Sequence, residues 1–558
     1  MKRFFIISIA LFGLSAVAGA QDTYYAELLS RNNYYGTARS TALGNAMTAL
    51  GGDLGSVGIN PAGSAINSYG QFTFTPALLF QNTGAAWSAD GSEQFGPYNP
   101  TSHTKFNLPN IGGTMVMYTG RTYGIKHVTM GFIANTTNTF LNYTTGRGAN
   151  GSTSFLGNMA AAAAGAPYTS LGNDLYTSFC ANQIGEYGPE ASYIYAGANQ
   201  RIADNEKYHF VPGTLNQTSE YNTYGTKTDM VFNLGFNVSD EFYFGFNIGM
   251  PFLEYRREET FLESPESPEQ FPVIFYDKNG GKVATNYQSS SNGYKLNTSA
   301  AGIYGKFGFI WLPVAGLRVG AAIQTPTSLS IEEQWQYSAA ASYADKTFNG
   351  SATSDIGSYS YKLRTPYIVN AGVAYTFGTA GLLSVDYELT DYSVMKYRDF
   401  GETFFEAHNW SSTNYANRTF CGVSHSVRAG VEVKPTQAIA VRAGYSIVTD
   451  PEKYGTDTDG NIVTAETWQG LQQGVSNFKY FRNYTHAFSA GLGYSTDGAF
   501  FADAAVRLTK YPVNYYSPYY YGAYDVFDKD GALVMTGMPL EKLSRSVFDV
   551  VLTIGWRF

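Results

Sequence analysis

Period-two alternation, repeated in stretch after stretch from Gln71 to Phe558, constrains this chain more than any other feature. Phe232, Leu234, Phe236 and Val238 alternate with Asn233, Gly235 and Asn237, and Ser239-Asp240-Glu241 turns the chain into Phe242, Phe244, Phe246 and Ile248. Farther on, Val427, Ala429, Val431 and Val433 are set against Arg428, Gly430 and Glu432. The chain ends on Phe548, Val550, Leu552, Ile554, Trp556 and Phe558. Successive side chains of a strand point to opposite faces, so each such strand meets one greasy and one polar surrounding. In hydrocarbon an open sheet edge would leave backbone groups unpaired at several kcal/mol each. The pattern therefore predicts an all-β fold, a closed antiparallel transmembrane barrel.

Strands are expected near 71–81, 112–119, 126–141, 231–238, 242–248, 297–311, 316–332, 360–377, 381–397, 423–434, 439–447, 482–494 and 499–511, with a last one ending at Phe558. That is about 14, an even number as bacterial outer-membrane barrels require. Residues 82–110 read as a polar loop and 142–227 as a very long insertion, within which Phe155 to Pro167 could form a short helix. Short turns alternate with long loops, so the turns should be periplasmic and the loops extracellular. Composition agrees: aromatics are 16%, charged residues 14%, with 45 Tyr and 60 Gly. Taken alone, composition fits a large secreted β-protein equally well.

Lys2 and Arg3, the apolar run Phe4 to Val17 and the small residues Ala18-Gly19-Ala20 read as a cleaved signal peptide over residues 1–20. No later stretch reaches the ~20 apolar residues of a membrane helix, and the expected location is the bacterial outer membrane. Residues 21–70 are then a small plug and 71–558 the barrel. Within the plug, Ser40 can N-cap a helix, and Ala42, Leu43, Ala46, Met47 and Leu50 recur at helical spacing. Gly51 and Gly52 suit a helix C-terminus, and Pro61 forces Asn60 out of the helical region.

The parity of the strands points Lys306, Arg318, Asp386, Glu388, Arg428, Glu432, Arg442, Asp503 and Arg507 inward, where they would pair with one another or with the plug. Ile133, Tyr304, Ile310, Leu382 and Phe501 share that face. With Leu43, Met47 and Leu50 they are candidate contacts for a hydrophobic ligand; the plain structural role is packing against the barrel wall for these three and contact with the plug for the other five. No catalytic constellation, metal set or cofactor motif is found, so neither an enzyme nor a metal protein is expected. Gly146-Arg147-Gly148-Ala149-Asn150-Gly151 matches G-x-G-x-x-G but lies outside any βαβ unit. Cys180 and Cys421 are too few for a disulfide framework, and whether they bridge is open. A net charge of -8 gives no reason to expect nucleic acid.

The segments ARSTALGNAMTALGGD, NPAG at 60–63, RVGAAIQTP at 318–326, AGVAYTF followed by SVDYELTDY, and FSAGLGYSTDGAFFADAAV resemble the FadL-type outer-membrane transporters. The resemblance implies a barrel of about 14 strands with an N-terminal hatch. It implies passive uptake of hydrophobic small molecules such as long-chain fatty acids, by capture at the extracellular loops, a hatch-gated pocket and lateral release into outer-membrane lipid. On it, Asn60, Pro61 and Ala62 form the hatch motif near the exit, and the strand ending at Phe558 addresses the barrel assembly machinery. One branch of the superfamily resembles a shuttle of type IX secretion, so a binding or scaffold role with a protein partner at the loops is the alternative.

Overall fold

The computed structural model describes residues 23–558 apart from 92–93, 188–191, 204–207, 277–279, 401–409, 453–454, 457–461, 464–474, 477–483, 497–498 and 520–523. The expected signal peptide, His408 and the Asp497-Gly498 hairpin tip lie outside the described residues.

Fourteen antiparallel strands form the wall. They are β1 (Gln71–Ser88), β2 (Tyr98–Tyr118), β3 (Ile125–Asn138, resuming at Asn142–Asn150), β4 (Leu215–Val238), β5 (Phe242–Pro265) and β6 (Lys282–Val314). Then come β7 (Leu317–Gln324 and Ser328–Tyr343), β8 (Gly357–Arg364 and Ile368–Thr376) and β9 (Gly381–Asp391 and Lys396–Asp399). The last five are β10 (Val423–Val433), β11 (Ile439–Thr449), β12 (Tyr484–Ser495), β13 (Phe500–Lys510) and β14 (Leu540–Arg557). β1 pairs with β14 from Gln71↔Arg557 to Ser88↔Leu540, which closes the barrel.

The outer face of β5 shows how the alternation meets lipid. Phe242, Phe244, Phe246, Ile248, Met250 and Phe252 are all exposed, and the next outward residue is Glu254. Ten steps of about 3.4 Å, tilted by about 40°, make roughly 26 Å, the height of an outer-membrane apolar band. The twelve or so residues above Phe252 therefore rise beyond the lipid.

Several expected boundaries are corrected. The polar loop expected at 82–110 is mostly wall, since β1 runs to Ser88 and β2 begins at Tyr98. Both ends of the expected 142–227 insertion are strand too, with Asn142–Asn150 paired to Leu215–Thr223. Polar residues form strand there because the wall stands above the membrane. The continuous strands expected at 316–332, 360–377 and 381–397 are each broken. Pro326 and Pro366 cannot donate to a ladder, and a 3-10 turn over Tyr392–Val394 interrupts β9. The expected helix at Phe155–Pro167 forms over Phe155–Ala163. It is capped by Ser154, and the buried Glu263 carboxylate accepts from the amides of Phe155 (2.8 Å) and Leu156 (3.4 Å). Cys180 and Cys421 are not bridged to each other.

The N-terminal segment is less helical than its pattern suggests. Helix α1 spans Thr23–Ser30, α2 only Ala38–Ala42 and α3 Leu54–Val57, followed by a 3-10 turn over Pro61–Ile66. Thr37, not Ser40, caps α2. The helix stops because Gly44 and Asn45 take φ of 62° and 60°, conformations that end a right-handed turn. Asn60 has φ −134° and ψ 114°, as Pro61 demands, and Gly51 and Gly52 are left-handed as expected.

Candidate functional site

A non-strand segment can sit inside a barrel only if the wall satisfies its peptide groups. Here inward side chains do so strand by strand. Asn233 donates to the Pro61 carbonyl (3.0 Å), Asn247 to Val57 (2.8 Å), Lys306 to Gly58 (2.8 Å) and Arg318 to Leu50 (2.6 Å). Asp386 accepts from the Thr48 amide (2.6 Å) and Thr553 from Ala38 (2.7 Å). Lys227 reaches the Leu29 carbonyl (3.1 Å) and Asn32 (2.8 Å).

Other inward charges form buried pairs beside the segment. Arg428 meets Glu388 at 2.9 Å, with Asn370 and the Tyr34 hydroxyl donating to the same carboxylate. Arg442 links Glu432 (2.6 Å) to Asp503 (2.5 Å), and Arg39 from α2 joins at Glu432 (3.2 Å). Arg507 pairs with Asp549. The charges of these pairs are thus compensated within the protein, as burial requires.

A girdle of glycines makes room for this segment, and the alternation alone did not reveal it. A Cβ on Gly245 would lie 2.1 Å from the Pro61 carbonyl carbon, and one on Gly320 2.4 Å from the Thr48 oxygen. On Gly430 it would lie 2.5 Å from the Leu43 oxygen, and on Gly444 2.2 Å from the Gly44 nitrogen. Several are cross-strand partners, Gly235↔Gly245↔Gly308 and Gly320↔Gly372 among them. The signal available in the sequence was glycine recurring at inward parity on successive strands.

The residues singled out as ligand contacts are separated. Leu43, Met47 and Leu50 pack with Ile59, Ala374 and Leu382. Ile133 meets Leu54 and Val57, and Ile310 meets Ala62 and Ala65. Tyr304 donates to Asp229 (2.9 Å), and Phe501 lies under Arg557. Leu50, Leu382 and Phe501 also border a polar cavity of about 530 Å³ at the short-turn end. Asn60 is fully buried, with its amide donating to Thr48 (2.7 Å) and Phe309 (3.0 Å) and its side-chain oxygen accepting from Ala62 (3.1 Å). Pro61 and Ala62 sit against Gly245.

The wall ladder parts between β2 and β3. The β2–β3 register ends at Asn110↔Asn135, and β3 then turns inward at Thr139–Leu141. The corner has a local cause: the Asn138 side chain accepts from the amides of Thr139 (2.9 Å) and Phe140 (3.3 Å), and Phe140 takes φ 48°. A left-handed non-glycine residue costs on the order of 1–3 kcal/mol. Its surroundings hold it: Phe140 is buried, edge-on to Tyr255, and its carbonyl accepts from Thr223 (2.7 Å). Beyond the corner β3 pairs with β4 and runs behind the wall. Gly146 and Gly148 let it pass, since their Cβ atoms would strike Glu541 and Trp87. The G-x-G-x-x-G match is therefore a packing feature.

Between Tyr98 and Asn107 β2 keeps its ladder with β1, while side chains span its other edge. Lys105 donates to the carbonyls of Thr139 (3.2 Å) and Gly225, and His103 stacks on Tyr143 at 3.7 Å. Phe106 and Leu108 face lipid beside this opening. Behind it lies a cavity of about 140 Å³ lined by Tyr24 and Leu28 of α1, by Phe140 and Leu141 of the corner, by Tyr221 and Val547, and by the charged side chains of Glu27, Arg31, Asp450, Glu452 and Arg545.

The chain is similar to solved FadL-type transporters. The Pseudomonas putida toluene transporter TodX is 12% identical over 94% of this chain and 99% of its own, with a TM-score of 0.46. A Pseudomonas aeruginosa FadL homologue is 12% identical over 94% of this chain and 98% of its own, at 0.47. The Ralstonia pickettii toluene transporter TbuX is 13% identical over 94% and 99%, at 0.43. No protein-family model and no curated protein matches the chain.

Proposed function

We propose that this protein is a passive outer-membrane transporter that takes up hydrophobic small molecules of long-chain fatty acid type. Cargo is captured at the extracellular loops, passes to the cavity between α1 and the β3 corner, and leaves sideways into outer-membrane lipid. The observation that carries this reading is the parting of β2 from β3 at lipid height, with a cavity of mixed aromatic, aliphatic and charged lining directly behind it. A water-filled diffusion pore has no use for such a corner, whose backbone conformation costs free energy.

In this reading residues 21–70 are the hatch, and Asn60, Pro61 and Ala62 hold its turn against β5 and β6. Val57 and Gly58, just before the turn, touch Ile133 and Asn135 below the opening. A shift of the turn would therefore reach the exit directly.

Deleting residues 139–141 tests the proposal by letting β3 continue beside β2. The variant barrel should still migrate as a folded, heat-modifiable band, and uptake of radiolabelled oleate should fall to background. Undiminished uptake by the folded variant would overturn lateral release. Mild extraction of the wild type that yielded a stoichiometric protein and no bound amphiphile would favour the scaffold reading instead.

A further inference from the structure

Strands β5 to β9 carry an outward patch just above the apolar band that neither the lumen nor the opening uses. On β8 the outward face runs Val369, Tyr367, Arg364 and Lys362, and on β9 Lys396 and Arg398 follow the 3-10 turn. Arg364 lies directly opposite Lys396, and Lys362 opposite Arg398. Arg364, Lys396 and Arg398 are exposed and Lys362 is half-buried. Directly opposed side chains have Cβ atoms about 5 Å apart, and like charges so placed repel. Among the described residues none of the four has a carboxylate within 4 Å. Of the outward acids nearby, Glu332 faces Ser360 and Glu254 faces Ser299, while Asp391 accepts from Ser393 in its own turn.

Beside the cations an open groove of about 560 Å³ crosses β4 to β8. Small residues (Ser299, Ala301, Ser330 and Ser360) form its floor, Phe252 and Phe400 stand at its sides, and Glu254 and Glu332 also line it. The Lys362 ammonium sits over the Phe400 ring at 5.3 Å, so one end of the groove carries charge. The other end is continuous with the lipid-facing surface at Phe252.

We propose that this face binds the phosphorylated headgroup of an outer-leaflet glycolipid. The four cations take the phosphates, and the groove takes the adjoining sugar and the root of an acyl chain. Height commits the site to a lipid. Arg364 stands three residues, about 10 Å of strand, beyond Tyr367 at the edge of the band, which is headgroup depth. Guanidinium groups match phosphate oxygens in a two-pronged geometry that an ammonium cannot reproduce. An anion from the membrane also removes the repulsion that the cross-strand pairing builds in.

The test uses the full-length protein in phosphatidylcholine nanodiscs containing diphosphoryl lipid A or its dephosphorylated form. Retained lipid is counted by native mass spectrometry. The wild type should retain the diphosphoryl form roughly tenfold or more over the other, the equivalent of one charge-assisted contact. Lys362→Gln/Arg364→Gln/Lys396→Gln/Arg398→Gln should lose that preference, and Arg364→Lys/Arg398→Lys should weaken it. Should the fourfold variant fail to assemble, Arg364→Gln and Arg398→Gln made singly should each give a partial loss. Equal retention of both lipids, or by wild type and folded Gln variants, would overturn the proposal. So would displacement of the lipid by millimolar inorganic phosphate, which marks a free-anion site. Loss of a co-purifying protein from the Gln variant with lipid retention unchanged would overturn it in favour of protein docking.

Discussion

Gly245→Ala is the sharpest perturbation of the seat that holds the N-terminal segment. The added methyl would lie 2.1 Å from the Pro61 carbonyl carbon, 2.3 Å from the Ala62 nitrogen and 2.4 Å from the Pro61 oxygen. Restoring ordinary contact requires the turn to retreat by about 1.3 Å, which also strains the Asn233 hydrogen bond to Pro61. Overpacking of this kind costs about 1–3 kcal/mol. If the wall holds and the seat gives, the unseated population rises roughly 5- to 150-fold. Hydrogen exchange in reconstituted protein should then show faster exchange over residues 36–66 with unchanged exchange in β10 to β14. Planar-bilayer recordings should show more frequent openings. Gly305→Ala on β6 is the control, because that Cβ points outward and meets nothing closer than 3.9 Å. Wild-type exchange and conductance in Gly245→Ala would refute the argument that glycines at inward parity exist to admit the segment.

Val431 is lipid-facing and 40% exposed, so Val431→Arg should impair assembly by about 2–4 kcal/mol, read as loss of the heat-modifiable band. Gly430→Ser, which alternation alone marks as mild because it faces inward, should instead disturb the seat, since its Cβ would meet the Leu43 carbonyl at 2.5 Å. Arg428→Ala leaves the buried Glu388 without its cation and should cost about 3–5 kcal/mol, with Arg428→Ala/Glu388→Gln recovering part of the loss in urea-dependent proteolysis of the segment. Deleting residues 40–63 should leave the barrel assembled, because strand pairing carries it. Its bilayer conductance should rise from small or absent to steady, and intact low conductance in the deletion would refute occlusion by this segment.

The sequence by itself determined the wall: the faces of β4, β5, β10, β11 and β14, the turn at Ser239-Asp240-Glu241, and a polar lumen enclosed by greasy strands. Alternation is a local property, and lipid enforces it residue by residue. It also placed the inward charges and the conformation of Asn60, which Pro61 imposes on its neighbour. Pro326 and Pro366 marked the breaks in β7 and β8, although the pattern ran on through them. Where the strands rise above the membrane, as at Tyr98–Thr104 and Asn142–Asn150, the greasy half of the signal disappears and strand cannot be told from loop. Only the tertiary structure decided where β3 leaves the wall. Phe140 is an ordinary strand residue by type, and its left-handed turn exists because Asn138, Thr223 and Tyr255 converge on it from three strands. The glycine girdle belongs to the same class. A missing side chain on one strand has meaning only when a distant segment fills the space, and that contact is made across the barrel rather than along the chain.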